Sequence, residues 1–535
     1  MPSDCISFRE TNYFSSLICD YLDETPDLKP FYNRFPKLNN FESQIDEKAK
    51  SFDTQSRVVL VNALKNQYQN VEQVSDLTIS NIDLLSNEKT FTITTGHQLN
   101  VFTGPLYFFY KIVSTINLCK TLKEQYPNNN FVPVYWMATE DHDFEEINFF
   151  NFKGKKISWN KEASGAVGEL DLNGFNDVFR VIASEMDNSQ NANELRDLFK
   201  NAYLNHDTLT DAMRYLVNAL FSKYGLVIVD GNDTNLKQMF IPFIQKEITD
   251  QEAFELVTET NSKLNDLDGN YKIQVNPREI NLFYITKDLR ERIVEIEGEY
   301  FVNNTQIKWS KSEILDEVSS FPERFSPNVI MRPLYQEVIL PNLCYIGGGG
   351  EIAYWLQLKT NFEAQNIPFP MLLLRNSAVL TTRKQNEKLQ KLNLTFKDLF
   401  LKQIDLETKV TKEISKINID FSSQKLHLKQ QFKELYELAK QTDKSFVGAV
   451  GAQEKKQFNG LEHLEKRLLN AQKRKLKDIL KRIIELQNAL FPNQSLQERQ
   501  TNFSEFYLEY GDRFIQQLVL NLQPLKSEFL ILNLD

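Results

Sequence analysis

Four ionisable residues in a row, Glu140, Asp141, His142 and Asp143, follow the apolar run PVYWMAT. At a strand end, a carboxylate or imidazole from such a cluster can take a proton, hold a substrate ammonium group or ligate Mg2+. The plainer alternative is an aspartate capping the next helix beside a solvated loop. Two glycine-bearing segments offer a different chemistry. The stretch TGHQLNVFTGP carries Gly96, His97, Gln98, Asn100, Thr103 and Gly104. The stretch CYIGGGGEIAYW carries Gly347, Gly348, Gly349 and Gly350 ahead of Glu351. Glycine lets a ligand approach the backbone, and the first N–H groups of a following helix can receive an anion. Neither spacing is G-x-G-x-x-G or G-x-x-x-x-G-K-[ST], so a standard dinucleotide fingerprint or P-loop is not supported. His97 reads equally well as an imidazole that ties its turn together.

Arg332 in MRPLYQE and Arg375 in LLLRNSA each follow a strand-like run. Their planar forks suit a carboxylate or phosphate, or an ion pair closing the edge of the core. Asp230 ends LVIVD and is either a further strand-end carboxylate or a turn residue capping the next helix. No H-E-x-x-H or paired-histidine spacing is present, and Cys5, Cys19, Cys119 and Cys344 form no C-x-x-C pair, so no protein metal site is expected.

The elements that must position these groups alternate. Thr90–Gly96 is strand-like, the segment from Gly104 to Pro127 is helical with Pro105 near its first turn, and Phe131–Thr139 is a second strand. The helix AMRYLVNALFSKYG then leads into a third strand, LVIVD. This order predicts an α/β fold with a Rossmann-like parallel sheet, in which ligands sit at the carboxyl ends of the strands. SPNVIMRPLYQEVILP and FPMLLLRNSAVLTT read as further core strands with loops. The regions at about 153–184 and 249–317 interrupt the alternation as insertions, completing a core over 1–381. Over 382–492, glycine is absent until Gly448 and proline until Pro492. Leu469, Leu476, Ile479, Ile483, Leu486 and Leu490 form a heptad seam, and a helix around Leu428, Phe432 and Leu435 packs against it as an antiparallel coiled-coil hairpin. The segment 493–535 is aromatic-rich and is expected to fold back onto the core.

A length of 535 residues implies two to four domains. A net charge of -10 argues against nucleic acid as the main partner and gives no reason to expect an anionic membrane surface. Scattered thiols fit a reducing cytoplasm. The N-terminus shows no signal-peptide core, and no run of about 18 apolar residues is present to cross a membrane.

Four motifs, TGHQLNVFTGPLYFFYK, PVYWMATEDHDFEEIN, RPLYQEVILPNLCYIGGGGEIAYWLQLK and LQERQTNFSEFY, resemble in content and order the family of bacillithiol biosynthesis cysteine-adding enzymes, the cysteine ligases. The match runs over nearly the whole chain. The resemblance implies a Rossmann-like core with connective-peptide insertions and a coiled coil that forms homodimers. It implies the last step of bacillithiol synthesis, in which the carboxyl group of cysteine is joined to the amine of glucosaminyl-malate, with ATP or ADP, accompanied by Mg2+, as the associated nucleotide. The family often has glutamine where this chain has His97 and proline where it has Gly349, which weighs against a role that needs the His97 imidazole. The catalytic expectation therefore rests on Glu140, Asp141, His142 and Asp143. Substrate binding is expected of Gly96, His97, Gln98, Asn100, Gly104, Asp230, Arg332, Gly347, Gly348, Gly349, Gly350, Glu351 and Arg375. Two other readings stay open: a synthetase-like nucleotidyl or aminoacyl transferase with a different acceptor such as tRNA, and a non-catalytic dimeric scaffold that binds a small metabolite.

Overall fold

A computed structural model describes residues 4–535. The contacts divide the chain into two units, one running to Leu380 and including Leu496–Leu534, the other Thr381–Ser495 with Asp535.

The first unit is built on five parallel strands: β1 (Thr90–His97), β2 (Asn130–Met137), β3 (Val227–Asp230), β4 (Asn342–Gly347) and β5 (Met371–Leu374). Their spatial order is β3-β2-β1-β4-β5. The chain thus winds outward in one direction from β1 and then restarts on its other side with β4. That reversal leaves a crevice between the carboxyl ends of β1 and β4. Every residue of β1 and β4 is buried, as expected of central strands covered on both faces. The helix Tyr107–Gln125 is apolar nearly all round because it packs on β1 and β2 on one side and on the helix Arg513–Asn521 on the other.

The sequence reading of Ser326–Pro341 as a core strand is corrected. Met331–Ile339 is a helix, and its buried Met331, Leu334, Tyr335 and Ile339 follow a helical period. The strand lies just beyond, in NLCYIG, where the glycine run had drawn attention to the loop. Phe369–Thr382 supplies two strands to different sheets: β5, and Ser377–Thr381, which pairs with Glu528–Asn533 and through it with Asp4–Ser7.

Between β3 and β4, the helices Thr234–Asp250 and Glu252–Asn265 precede a five-stranded antiparallel sheet. Its strands Leu282–Thr286, Leu289–Ile296, Glu299–Val302 and Lys308–Ser310 form a meander, and Phe325–Pro327 pairs on the other edge. This edge strand runs straight into Asn328 and the helix that bears Arg332.

The second unit is helical. Ser422–Ala439 lies antiparallel to Lys444–Lys475, as the pairs Lys425–Glu465 and Tyr436–Glu454 show. Phe432, Ala439 and Val450 form its buried seam with Leu428, Tyr436 and Val447. The expected partnership is therefore corrected. The contacts of the earlier helix run from Val447 to Glu465 of the long helix, ahead of the heptads from Leu469 to Leu490. Those heptads are split at Leu476, where the backbone leaves helical geometry, and Leu435 and Ile479 are exposed. A heptad count alone cannot see such a break, because Leu476 still falls on the period.

Candidate functional site

A cavity of about 950 Å3 opens at the carboxyl ends of β1, β2 and β4, at the crevice where the strand order reverses. Of the sequence-derived residues it collects Gly96, His97, Gln98, Glu140, Asp141, His142, Arg332, Gly348, Gly349, Gly350, Glu351 and Arg375. Asn100, Asp143, Gly104, Asp230 and Gly347 do not line it. Asn100, Gly104 and Asp230 have other uses in the fold, whereas Asp143 stands at the start of the short helix Phe144–Ile147 without capping it. Asn100 donates from Nδ2 to the Glu146 carbonyl, at 2.9 Å, and fills the space that a side chain at Gly104 would need. Asp230 is half-buried, accepts from Thr139 Oγ1 and from the Asn232 N–H, and its carboxyl is raised above its ordinary value chiefly by desolvation.

The polar turn after β1 is a packed structural knot. Phe102 and Thr103 have positive φ, and Gly104 follows at +62°. Such strain persists only where the surroundings over-determine it. Here Asn502 Nδ2 donates to the carbonyls of Phe102 and Gly104 at 2.8 and 2.6 Å, and the Leu106 N–H donates to the Thr501 carbonyl at 2.8 Å. The motif LQERQTNFSEFY thus clamps the motif TGHQLNVFTGP across nearly 400 residues of sequence.

The floor is held by an ion pair that the sequence reading did not include. Lys111, buried in the helix after β1, reaches Glu351 Oε2 at 2.6 Å and donates to the Gly96 carbonyl at 2.7 Å. Glu351 also accepts from Tyr345 Oη at 2.6 Å and from the Gly348 N–H at 2.8 Å. Burial raises the Glu351 carboxyl, but the charge and hydrogen bonds of Lys111, Tyr345 and Gly348 outweigh it and hold the group below its ordinary value. The expected anion cradle at Gly348 is therefore filled by the chain's own Glu351. The signal in the sequence was a lone lysine in the apolar run LYFFYKIVSTINL.

His97 is buried with Nε2 unpartnered, and burial together with the charges of Lys111 and Arg375 holds its pKa well below the ordinary value. It is a neutral imidazole. Arg375 is also buried, and its fork pairs with Glu498 at 2.7 Å and donates to the Asn376 carbonyl and Ser377 Oγ. Most of its donors thus close the core edge. Arg332 differs. It lies over the rings of Trp136 and Tyr345, donates to Gln336 Oε1 at 3.1 Å, and has no carboxylate within ion-pair distance among the described residues.

On the opposite wall, Gln98 Nε2 donates to Asp141 at 3.0 Å and to Glu146 at 2.8 Å. Asp141 is raised by burial but lowered further by hydrogen bonds from His142 and Gln98 and by the Arg290 charge, so it stays ionised well below the usual carboxylate range. Glu140 is bound to the buried Lys237, which also donates to the Phe325 carbonyl at 2.7 Å. His142 Nδ1 lies 2.6 Å from Arg290 Nη1, an arginine of the antiparallel sheet. Because arginine only donates, this contact makes Nδ1 the acceptor and leaves the imidazole proton on Nε2.

The sequence reading placed that sheet in an insertion and did not connect it with the site. In the fold, Arg278, Arg290 and Arg292 come from it and from the loop before it, and Arg499 comes from the C-terminal segment. Seven cationic side chains line the cavity against four carboxylates, in a chain whose net charge is -10. Charge of that sign concentrated in one cleft favours anionic small molecules. Among the described residues no group of three or more His, Cys, Asp or Glu side chains is arranged to hold a metal ion, and no helix is long and apolar enough to cross a membrane.

Two family models cover the chain. Residues 1–376 match the model described as bacillithiol biosynthesis BshC, N-terminal Rossmann-like domain, and residues 378–534 match the C-terminal coiled-coil domain of the same family. A protein of Flavobacterium johnsoniae is 60% identical over 534 residues, covering all of both chains. One from Cytophaga hutchinsonii is 39% identical over 97% of this chain and 96% of its own, and one from Bacillus mycoides is 28% identical over 94% and 95%. All three bear the name "Putative cysteine ligase BshC".

Proposed function

The chain belongs to the BshC family of bacillithiol biosynthesis, and from that premise we propose that it joins the carboxyl group of cysteine to the amine of glucosaminyl-malate through an amide bond. The observation that carries this reading is the cation-rich cavity at the crevice between β1 and β4. Both substrates bring carboxylates, and Arg332, without a carboxylate of its own, offers a planar fork to one of them.

Amide formation from a free carboxylate is uphill in water, so the cysteine carboxyl must be activated. ATP, with Mg2+, would supply that by making the carboxyl an acyl phosphate or acyl adenylate. Arg499 and the unobstructed Gly350, which line the same cavity, would hold its phosphates, whereas the Gly348 N–H, taken by Glu351, would not. The attacking ammonium must also lose a proton. Ionised Asp141 can hold it, and the His142 imidazole can accept the proton on Nδ1 once Arg290 releases that atom. Glu140, bound to Lys237, is less free to do so.

We further propose that the protein works in the cytoplasm as a homodimer formed by the helical unit, whose Leu426, Leu438, Phe446 and Leu464 are exposed. The test is incubation of the purified protein with cysteine, glucosaminyl-malate, ATP and Mg2+, followed by mass spectrometry. The expected product is the cysteinyl amide. Its absence, with preformed activated cysteine donors also tried, overturns the proposal.

A further inference from the structure

Arg278, Arg290 and Arg292 line one wall of the cavity, and none has a carboxylate within ion-pair distance among the described residues. Arg290 is the most informative. Its guanidinium lies 3.9 Å over the Phe283 ring, Nη1 meets His142 and Nε has no partner. Burial lowers its pKa, and the charges of Asp141 and Glu140 offset this only in part. A guanidinium drawn out of water without a bonded anion destabilises the empty protein, and an arriving anion removes that cost. Arg292 stands two residues along the same strand and therefore on the same face, directly across from Phe283 in the register. Arg278 belongs to the preceding loop, where its N–H donates to Asn281 Oδ1 at 3.0 Å.

We propose that this wall of the antiparallel sheet is the subsite for a ligand with two carboxylates, Arg290 and Arg292 each engaging one of them and Arg278 closing over the pair. Two planar forks rooted about 7 Å apart along a strand suit two separate carboxylates better than one compact phosphate. The assignment rests on the functional reading above and deepens it: the acceptor's malyl group lies on the inserted sheet, and the cysteine half of the reaction lies at the Arg332 side. Arg290 then turns from His142 Nδ1 to the acceptor, so acceptor binding itself frees the imidazole.

The test is calorimetric titration of the full-length protein and of R292A, R290A and R290K with three probes: glucosaminyl-malate, the methyl glycoside of glucosamine, and ATP. Arg292 is exposed, so its variant separates binding from folding. R292A and R290A are expected to bind glucosaminyl-malate at least ~10-fold more weakly, R290K to recover only part of the loss, and all to bind the methyl glycoside and ATP as the unmodified protein does. Unchanged affinity for glucosaminyl-malate overturns the assignment alone, as does an equal loss for the methyl glycoside or a loss for ATP instead. Failure of the unmodified protein to bind glucosaminyl-malate overturns the functional reading and this assignment with it.

Discussion

Lys111 Nζ lies 2.6 Å from Glu351 Oε2 while also bonding the Gly96 carbonyl, so one buried lysine ties the end of β1 to the helix Gly349–Trp355 that follows β4. The glycine run is fixed by this contact. Glu351→Ala leaves the lysine charge buried and unpaired, which costs about 3–5 kcal/mol for a pair of this kind. Chemical denaturation of the variant is expected to show a loss of that order. A loss below about 1 kcal/mol would mean that water replaces the carboxylate and the strand end and helix are not held by the pair.

Arg375 and Glu498 form a second buried pair, but one that joins β5 to the C-terminal segment. Arg375→Ala is expected to destabilise the protein by about 3–5 kcal/mol because Glu498 is left without its counter-charge. Arg332→Ala, with no carboxylate to strand, is expected to cost less than about 1 kcal/mol. Parallel denaturation curves separate the arginine that closes the core from the one available to substrate.

Gly165 has φ of +72°, and a Cβ there would lie 2.9 Å from the backbone of Asp288, at the turn of the hairpin that carries Arg290. Gly165→Ala forces either the loop or the hairpin to move. The expected result is a loss of about 1–3 kcal/mol in stability together with weaker binding of glucosaminyl-malate. Unaltered binding would show that the hairpin does not need this contact to place Arg290.

Glu247 is buried and its pKa is raised to about 7 by desolvation, against the bonds that it accepts from Asn281. The folded state therefore holds a proton that the unfolded chain releases at an ordinary carboxyl value near 4.3. Its contribution is fully present below that value and is lost as pH rises towards 7. Glu247→Gln keeps an acceptor for Asn281 without the buried charge. It is expected to raise the melting temperature at pH 8 and to change it little at pH 4. Equal effects at both pH values would contradict a raised pKa.

The sequence by itself determined the parts whose signal is local. Thr90–His97, Asn130–Met137 and Val227–Asp230 are short runs rich in β-branched and aromatic residues beside helical periods, so the parallel sheet and its ligand-bearing ends were legible. The order of four motifs marked the family, and the glycine-poor, heptad-bearing stretch marked the helical unit. What the sequence left undecided depends on distance in space. Whether Arg375 or Arg332 is free for a ligand is decided by Glu498, more than 100 residues away from either. Whether Gly348 can cradle an anion is decided by how Glu351 is turned, and that by Lys111 and Tyr345. The arginine wall comes from an inserted sheet whose alternation looks, residue by residue, like any half-exposed strand. Local periodicity records which face of an element is buried. It carries no record of the partner across the cavity, and charge pairing at a site is a property of that partner.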